Sequence, residues 1–283
     1  MDNRFKTCVK VIQLPQGFEE EARGGKSCCE TTLVLASTTD NDNYKNDVLG
    51  VVVKKSDVSD SITITIENCE GTVLTNLGTV GVYPADTLAV GFMYSWKSIL
   101  QTYGVGVYTV KVSYTVSGVT GSLTWGQYEL KNYSTENAAG TVRVYSEFNS
   151  YFQPLLLDFT NSNHKDSVRF NGFFGNREPK TDIVNYIDKG RSVVKATREN
   201  LNTYTLSSDP VTIAIGRRLL DFHFLSEDVC LISDHNRYNQ IYDLPVVLEE
   251  SSEVEYITKD RRALITATFG DRRKTDKSFY NNQ

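Results

Sequence analysis

Between residues 107 and 116 the chain reads VYTVKVSYTV, which sets Tyr108, Val110, Val112, Tyr114 and Val116 on one side and Thr109, Lys111, Ser113 and Thr115 on the other. A period of two sends successive side chains to opposite faces of a strand, so this segment is a strand with one buried face. Similar runs predict strands over 8–14, 31–37, 48–54, 61–67, 72–77, 88–94 and 122–130, and SGVTGS (117–122) supplies the glycines of a hairpin loop. From residue 31 to 134 this makes about seven short strands in about a hundred residues, the count of an immunoglobulin-like β-sandwich. In WKSILQTYGVGVYTV (96–110) a helical turn from Trp96 to Leu100 is followed by Gly104, Gly106 and a tyrosine entering a strand. That is the pattern of a tyrosine corner, in which Tyr108 would bond back to nearby backbone. No cysteine pair stands where such sandwiches carry their disulfide, so a disulfide-free version is expected.

Around this block the pattern weakens. Residues 1–30 read as an N-terminal arm, since PQGFEEEARGGKS (15–27) carries Pro, three Gly and a Glu run. NYSTENAAGT (132–141) is small and polar and marks a domain boundary. A second β-rich (α+β) domain is expected over 135–270, with strands at 141–148, 154–159, 166–174, 183–187, 192–198, 203–206, 229–233, 244–249 and 263–269. Within it, SDPVTIAIGRRLLDFHFLSED (208–228) offers Asp209 as N-cap, Pro210 at the first helical position, and Val211, Ile215, Leu219 and Phe222 at helical spacing. This predicts one helix near 210–225, although Val211, Ile213 and Ile215 also fit the start of a strand. Residues 271–283 read as a flexible tail. The fold class is therefore mainly β, a sandwich followed by a second β-rich domain.

Composition narrows the class. Hydrophobic residues make 40% and charged residues 23% of the 283-residue chain, enough for a packed core in each domain. A net charge of −5 gives no polyanion-binding signal. The cysteines, Cys8, Cys28, Cys29, Cys69 and Cys230, are odd in number and contain no C-x-x-C pair, which points to free thiols and synthesis in a reducing compartment. MDNRFKTCVK lacks the apolar run of a signal peptide, and no apolar stretch is long enough for a transmembrane helix, so no membrane partner is expected.

Candidate chemistry is sparse. DNDNYKND (40–47) begins like a calcium loop but puts Tyr44 and Lys45 where a ligand and a glycine are needed, so a solvated turn is expected and no metal or cofactor. His164, His223 and His235 are far apart in sequence. His235 follows Asp234, but neighbours at a strand end point in opposite directions, and a loop histidine is ordinarily solvated. His223, between Phe222 and Phe224, reads as structural. Glu249, Glu250, Glu253 and Glu255 read as a solvated face. No nucleophile elbow, phosphate loop, dinucleotide fingerprint or H-E-x-x-H occurs. Arg217-Arg218, Arg261-Arg262 and Arg272-Arg273 are doublets of the residue favoured at protein interfaces. In GFFGNREP (172–179), Gly172 and Gly175 suit a bulge or turn, and Pro179 forbids helix. Phe173 and Phe174 would then point to opposite sides, one buried and one free to meet a neighbour.

Two long segments, GVYTVKVSYTVSGVTGSLTWGQYELKNYSTENAAGTVRVYSEFNSY (106–151) and RFNGFFGNREPKTDIVNY…KATRENLNTYTLSSDP…RLLDFHFL…ISDHN (169–236), resemble tail and neck structural proteins of crAss-like bacteriophages. The resemblance spans roughly residues 50–270. It implies a non-enzymatic virion subunit, made in the bacterial host cytoplasm, that forms a ring or collar connecting portal to tail. Expected partners are the portal, neighbouring ring or tail proteins, and further copies in a homo-oligomeric ring, expected to be dodecameric, through which DNA could pass without sequence-specific binding. Candidate subunit-contact residues are Phe173, Phe174, Arg177, Glu178, Arg217, Arg218, Arg261 and Arg262. The rival expectations are a carbohydrate- or receptor-binding module, with Tyr151, Phe152 and Tyr238 for stacking, and a glycan hydrolase, for which no specific carboxylate pair stands out.

Overall fold

A computed structural model describes residues 10–11, 31–54, 61–74, 81–83, 86–116, 119–187, 189–190, 193–236, 240–249, 253–257 and 262–272. The chain is mainly β. Its first nine strands are β1 (Lys10–Val11), β2 (Thr32–Ala36), β3 (Val48–Lys54), β4 (Ser61–Asn68), β5 (Val73–Leu74), β6 (Gly81–Tyr83), β7 (Asp86–Ser95), β8 (Gly106–Val116) and β9 (Val119–Asn132). They form two sheets, ordered β1-β3-β7-β6 and β2-β9-β8-β4-β5. All pairs are antiparallel except β2 with β9. One core joins the sheets: Leu49, Val51, Val53, Val90 and Phe92 from the first meet Ile64, Ile66, Val110, Val112 and Trp125 from the second.

A helix, Trp96–Tyr103, crosses between the sheets. The Ser95 hydroxyl accepts from the Lys97 amide at 3.3 Å, and Gly104 leaves the helix at φ 84°, which a glycine adopts without strain. Trp96, Ile99 and Leu100 fall on its buried side, one helical repeat apart. Four residues beyond Gly104, the Tyr108 hydroxyl donates to its carbonyl at 2.9 Å, the bond of a tyrosine corner.

The other strands begin at Thr141: β10 (Thr141–Phe148), β11 (Tyr151–Phe152), β12 (Leu157–Asp158), β13 (His164–Ile187), β14 (Val193–Ser208), β15 (Val211–Thr212), β16 (Val229–His235), β17 (Gln240–Leu248), β18 (Glu253–Ile257) and β19 (Arg262–Asp271). The sheet β14-β13-β10-β16-β17-β19 closes through a β14–β19 pairing into a six-stranded barrel. β15 and β18 add to β19, and β11 pairs with β12 apart from the barrel. Val142, Val168, Phe170, Phe174, Leu206, Ile232, Ile265 and Phe269 fill the interior.

Several expectations change. Of the bulge or turn expected in GFFGNREP, the structure has the first: β13 runs through it for 24 residues with a bulge-like register shift between Gly175 and Glu178. Gly172 is required for close approach, because a Cβ there would lie 2.6 Å from the Ser207 carbonyl oxygen. The strands expected at 192–198 and 203–206 are likewise one strand, β14. The stretch expected as strand 154–159 holds a single 3-10 turn, Gln153–Leu155, before β12. The expected helix starts later. Val211–Thr212 is strand, the Thr212 hydroxyl accepts from the Ile215 amide at 3.3 Å, and the helix spans Ile213–Arg218 before a π turn at Leu219–His223. Thr212 caps in place of Asp209 because β15 first pairs with β19, burying Val211. A further short helix, Thr135–Ala138, lies in the segment read as the boundary, and strands β6 and β18 were not foreseen. The expected arm lies outside the described residues apart from Lys10–Val11, as does the expected tail beyond Arg272.

The two parts meet through β3. Leu49, Val51 and Val53 enter the sandwiched core, while Val52 enters a separate aromatic cluster with Phe148, Phe152, Leu157, Phe159 and Phe222. Burial on both faces explains why 48–54 reads as an unbroken apolar run rather than an alternation. At Gly50 the backbones approach so closely that a Cβ would sit 2.6 Å from the Lys165 carbonyl oxygen. Gly50→Ala is therefore expected to cost about 1–3 kcal/mol, measured by urea unfolding, whereas Gly71→Ala, which meets nothing within 4 Å, tests the separate cost of a positive φ.

Candidate functional site

The chemistry of the described residues concentrates where β3 crosses β10 and β13. Asp47, just ahead of β3, is 1% exposed and carries a carboxylate that must be compensated. Arg169 of β13 donates from both Nε (2.9 Å) and Nη2 (3.0 Å), one to each oxygen. Arg143 of β10 donates from Nε at 2.8 Å, and the Leu35 amide at 2.8 Å. The remaining guanidinium donors are also used: Arg143 Nη2 on the Asn46 carbonyl (3.1 Å), Arg143 Nη1 on Asp243 (3.4 Å), and Arg169 Nη1 on Thr141 Oγ1 (3.0 Å). Burial alone would raise the Asp47 carboxyl, but Arg169 and then Arg143 hold it below the usual carboxylate range. Asp243 reaches this cluster from a left-handed backbone conformation, φ 44°. Its carboxylate accepts from Ser233 Oγ at 2.9 Å, and its own amide donates back to that hydroxyl at 2.9 Å.

A second centre lies further along β13. Asp166, fully buried, accepts from the Gly50 amide at 2.9 Å and from Arg218 Nε at 3.0 Å, with a further contact from Arg218 Nη2. His223 Nε2 lies 3.2 Å from the same carboxylate, and its Nδ1 is 3.1 Å from Ser146 Oγ. Burial works against the charge on Asp166, but Arg218 and His223 hold it at about 2. Ser167 adds a pair of bonds to β3, accepting from the Val48 amide at 2.8 Å and donating to its carbonyl at 3.0 Å.

Rings close the junction at its rim. Tyr44 and Tyr133 from the N-terminal part pack against His235 and Tyr242 from the C-terminal part, with centroid separations from 4.3 to 6.4 Å. Lys45, paired with Asp40 at 2.6 Å, sits over the Tyr44 ring.

These findings correct two readings and bear out one. DNDNYKND is a solvated turn only at its start; its last residue, Asp47, is the hub of the junction. His235 is 4% exposed within β16 rather than solvated in a loop. Asp234 does turn away from it, accepting from the Phe174 amide at 3.4 Å and the Asn236 amide at 3.0 Å, and burial pushes its carboxyl up to about 6. The missed residues had a signal in the sequence: Arg143 and Arg169 interrupt otherwise apolar strands, TVRV and SVRF, where a charge is tolerated only if paired.

The candidate contact residues scatter. Phe174 is fully buried in the barrel and Arg218 is committed to Asp166, so neither is available to a neighbour as expected. Phe173, Arg217 and Arg262 are half-buried. Arg177 and Glu178 belong to β13, with side chains outside the described set, and Arg261 lies outside the described residues. Of the stacking candidates, Phe152 is buried, Tyr151 is 52% exposed, and Tyr238 lies outside the described residues.

Concavities are modest. A space of about 10 Å³ between Trp125, Tyr128, Val168 and Arg218 holds one water at most. A shallow groove of about 390 Å³ is lined by Ser207, Ser208, Val254, Glu255, Leu264 and Thr266, a set of hydroxyls with one carboxylate and without a nucleophile–base pair. Among the described residues no cluster of His, Cys, Asp and Glu has the arrangement of a metal site, and no helix is long and apolar enough to cross a membrane. Comparison with family models, with curated proteins and with solved structures gave no match to the chain.

The geometry at Asp47 is that of a joint. Asp47→Ala, which strands two buried guanidiniums, is expected to cost about 3–5 kcal/mol. Asp47→Leu combined with Arg143→Met and Arg169→Met, which removes all three charges together, is expected to recover most of that loss in chemical denaturation.

Proposed function

We propose that this chain is a non-enzymatic structural subunit of a tailed-phage virion, a ring or collar protein of the neck or tail. The observation that carries the reading is the β13–β14 ribbon. Beyond the barrel, residues 178–187 pair with 193–203, and among the described residues those of 193–201 pair with no strand other than β13. At about 3.3 Å per residue, these ten positions of β13 reach roughly 30 Å. A lone two-stranded ribbon is marginal in water, and an open strand edge is a template for pairing with another chain. Such a ribbon suits a subunit completed by its neighbours through strand addition or through the heterologous contacts that close a ring.

The body behind the ribbon fits the same role. We read the N-terminal part as an immunoglobulin-like sandwich, since the strand orders β1-β3-β7-β6 and β4-β8-β9 correspond to the ABED and CFG sheets and Tyr108 forms the corner bond. The paired charges at Asp47 and Asp166 fix that module to the barrel, so load on the ribbon passes into a stiff body.

The reading is tested by electron microscopy and mass measurement of the purified chain. Closed rings are expected, and the chain is expected in virion mass spectra. Replacing residues 179–201 by a short Asn-Gly turn should leave circular dichroism and melting intact while abolishing rings. Arg177→Ala should weaken assembly without unfolding the monomer. A chain that stays monomeric at high concentration and is absent from virions overturns the reading.

A further inference from the structure

The chain has three histidines, and all three are buried in the junction between the sandwiched sheets and the barrel. His164 stacks on Phe159, centroids 5.3 Å apart at 21°, in the cluster that receives Val52 of β3. His223 bridges Ser146 to Asp166, the carboxylate that holds the Gly50 amide. His235 is enclosed by Tyr44, Tyr133 and Tyr242, and its buried Nε2 has no hydrogen-bond partner among the described residues. The three rings come from three elements: His235 touches the N-terminal rings directly, His164 backs the aromatic cluster that takes in Val52, and His223 acts through Asp166 on Gly50.

The fixed charges of this seam already balance. Asp47, Asp166 and Asp243 supply three carboxylates; Arg143, Arg169 and Arg218 supply three guanidiniums. With neutral imidazoles the sum is zero, and three imidazolium ions would leave three uncompensated positive charges in a buried layer. The charged groups facing each ring do not absorb them. His164 faces Asp166, Arg218 and His223; His223 faces Asp166, Arg218 and Arg143; His235 faces Arg169, Asp47 and Arg143. At the rim Lys45 lies against Tyr44 and Tyr133 and is already paired with Asp40 and Asp42.

We propose that this seam is an acid-sensitive latch: protonation of the histidines separates the sandwiched sheets from the barrel while each keeps its own core. The sign follows from the burial of neutral rings. Burial holds His164 and His235 down to about 4 and lowers His223, all below the value of a free imidazole, about 6.5. The open state therefore binds protons more tightly, so the closed seam is fully favoured above about pH 6.5 and loses stability as pH falls towards about 4. Asp166, held at about 2, stays ionised in the closed seam, but once released it binds protons below about pH 5, so it adds to opening at the acid end of the window and the histidine variants isolate the imidazole share. Asp234, raised to about 6, works in the opposite sense, because its protonation favours the folded state.

The test follows the full chain from pH 7.5 to 4 by small-angle scattering, by limited proteolysis at the connection 132–141, and by tryptophan emission. Trp125 borders the space beside Val168 and Arg218, so emission is read in a Trp125→Phe background, where Trp96, buried against Tyr108 and Tyr128, reports on the N-terminal core. The expected result is an increase in radius of gyration and cleavage of the connection with a midpoint between about pH 6.5 and 4, while tryptophan emission and β-sheet circular dichroism hold. Combining His164→Phe, His223→Gln and His235→Phe should move the midpoint down by at least about one pH unit. Should that triple variant fail to fold, His235→Phe alone, a ring-for-ring exchange that removes no hydrogen bond at Nε2, should show a smaller shift in the same direction. The proposal is overturned if the wild-type chain stays compact and uncleaved to pH 4, if histidine variants and wild type open at the same pH, or if tryptophan emission changes together with the opening, which would be plain acid unfolding.

Discussion

A carboxylate withdrawn from water must be repaid in full by its neighbours, and in this chain that carboxylate is Asp47. It receives four hydrogen bonds, three from Arg143 and Arg169 and one from the Leu35 amide. Those donors come from both parts of the molecule. A buried ion pair adds little net stability over an apolar substitute, but a misplaced one is strongly penalised. The cluster therefore acts on geometry. Leu35 and Asp47 belong to one part, Arg143 and Arg169 to the other, and their bonds form together in one relative placement of sandwiched sheets and barrel.

The rest of the junction is arranged around that constraint. Gly50 allows β3 to come within backbone distance of β13, and Asp166 meets its amide there. Val52, on the same side, enters the aromatic cluster, so apolar burial supplies the driving force that the ion pairs lack. Asp243 adopts a left-handed backbone and its carboxylate accepts from Arg143, whose guanidinium has to share Asp47 with Arg169. The barrel side of this joint carries the long β13–β14 ribbon, the feature on which the proposed role as an assembled subunit rests.

Much of the local structure was legible. β3 and β10 begin and end where the sequence pattern places them, at 48–54 and 141–148. Tyr108 was recognisable as a corner from two glycines and a strand that starts on a tyrosine. Less legible was the site. Asp47 looked like the end of a polar turn, and His235 like a loop residue, because a sequence window does not show that Tyr44, Tyr133 and Tyr242 will converge on the same place. Arg143 and Arg169 carried the one usable sign, a charge at an inward position of an apolar strand. GFFGNREP left bulge and turn undecided for a related reason. Gly, Asn and Pro mark turns when the chain has no partner, but across β14 the same residues are held in a ladder with one irregularity.

By itself, the sequence determined that this protein is built mainly from strands, where most of them lie, and that a helical turn precedes the corner tyrosine, since these follow from period-two patterning and from capping and turn chemistry within a few residues. The tertiary structure decided what those strands close into, a six-stranded barrel beside two sheets sharing a core. It also decided that Phe174 and Arg218 face inward and that three distant histidines share one seam. Barrel closure depends on β14 meeting β19, and the seam on carboxylates meeting guanidiniums about a hundred residues away. Such contacts are fixed by the free energy of the whole chain and by no local window.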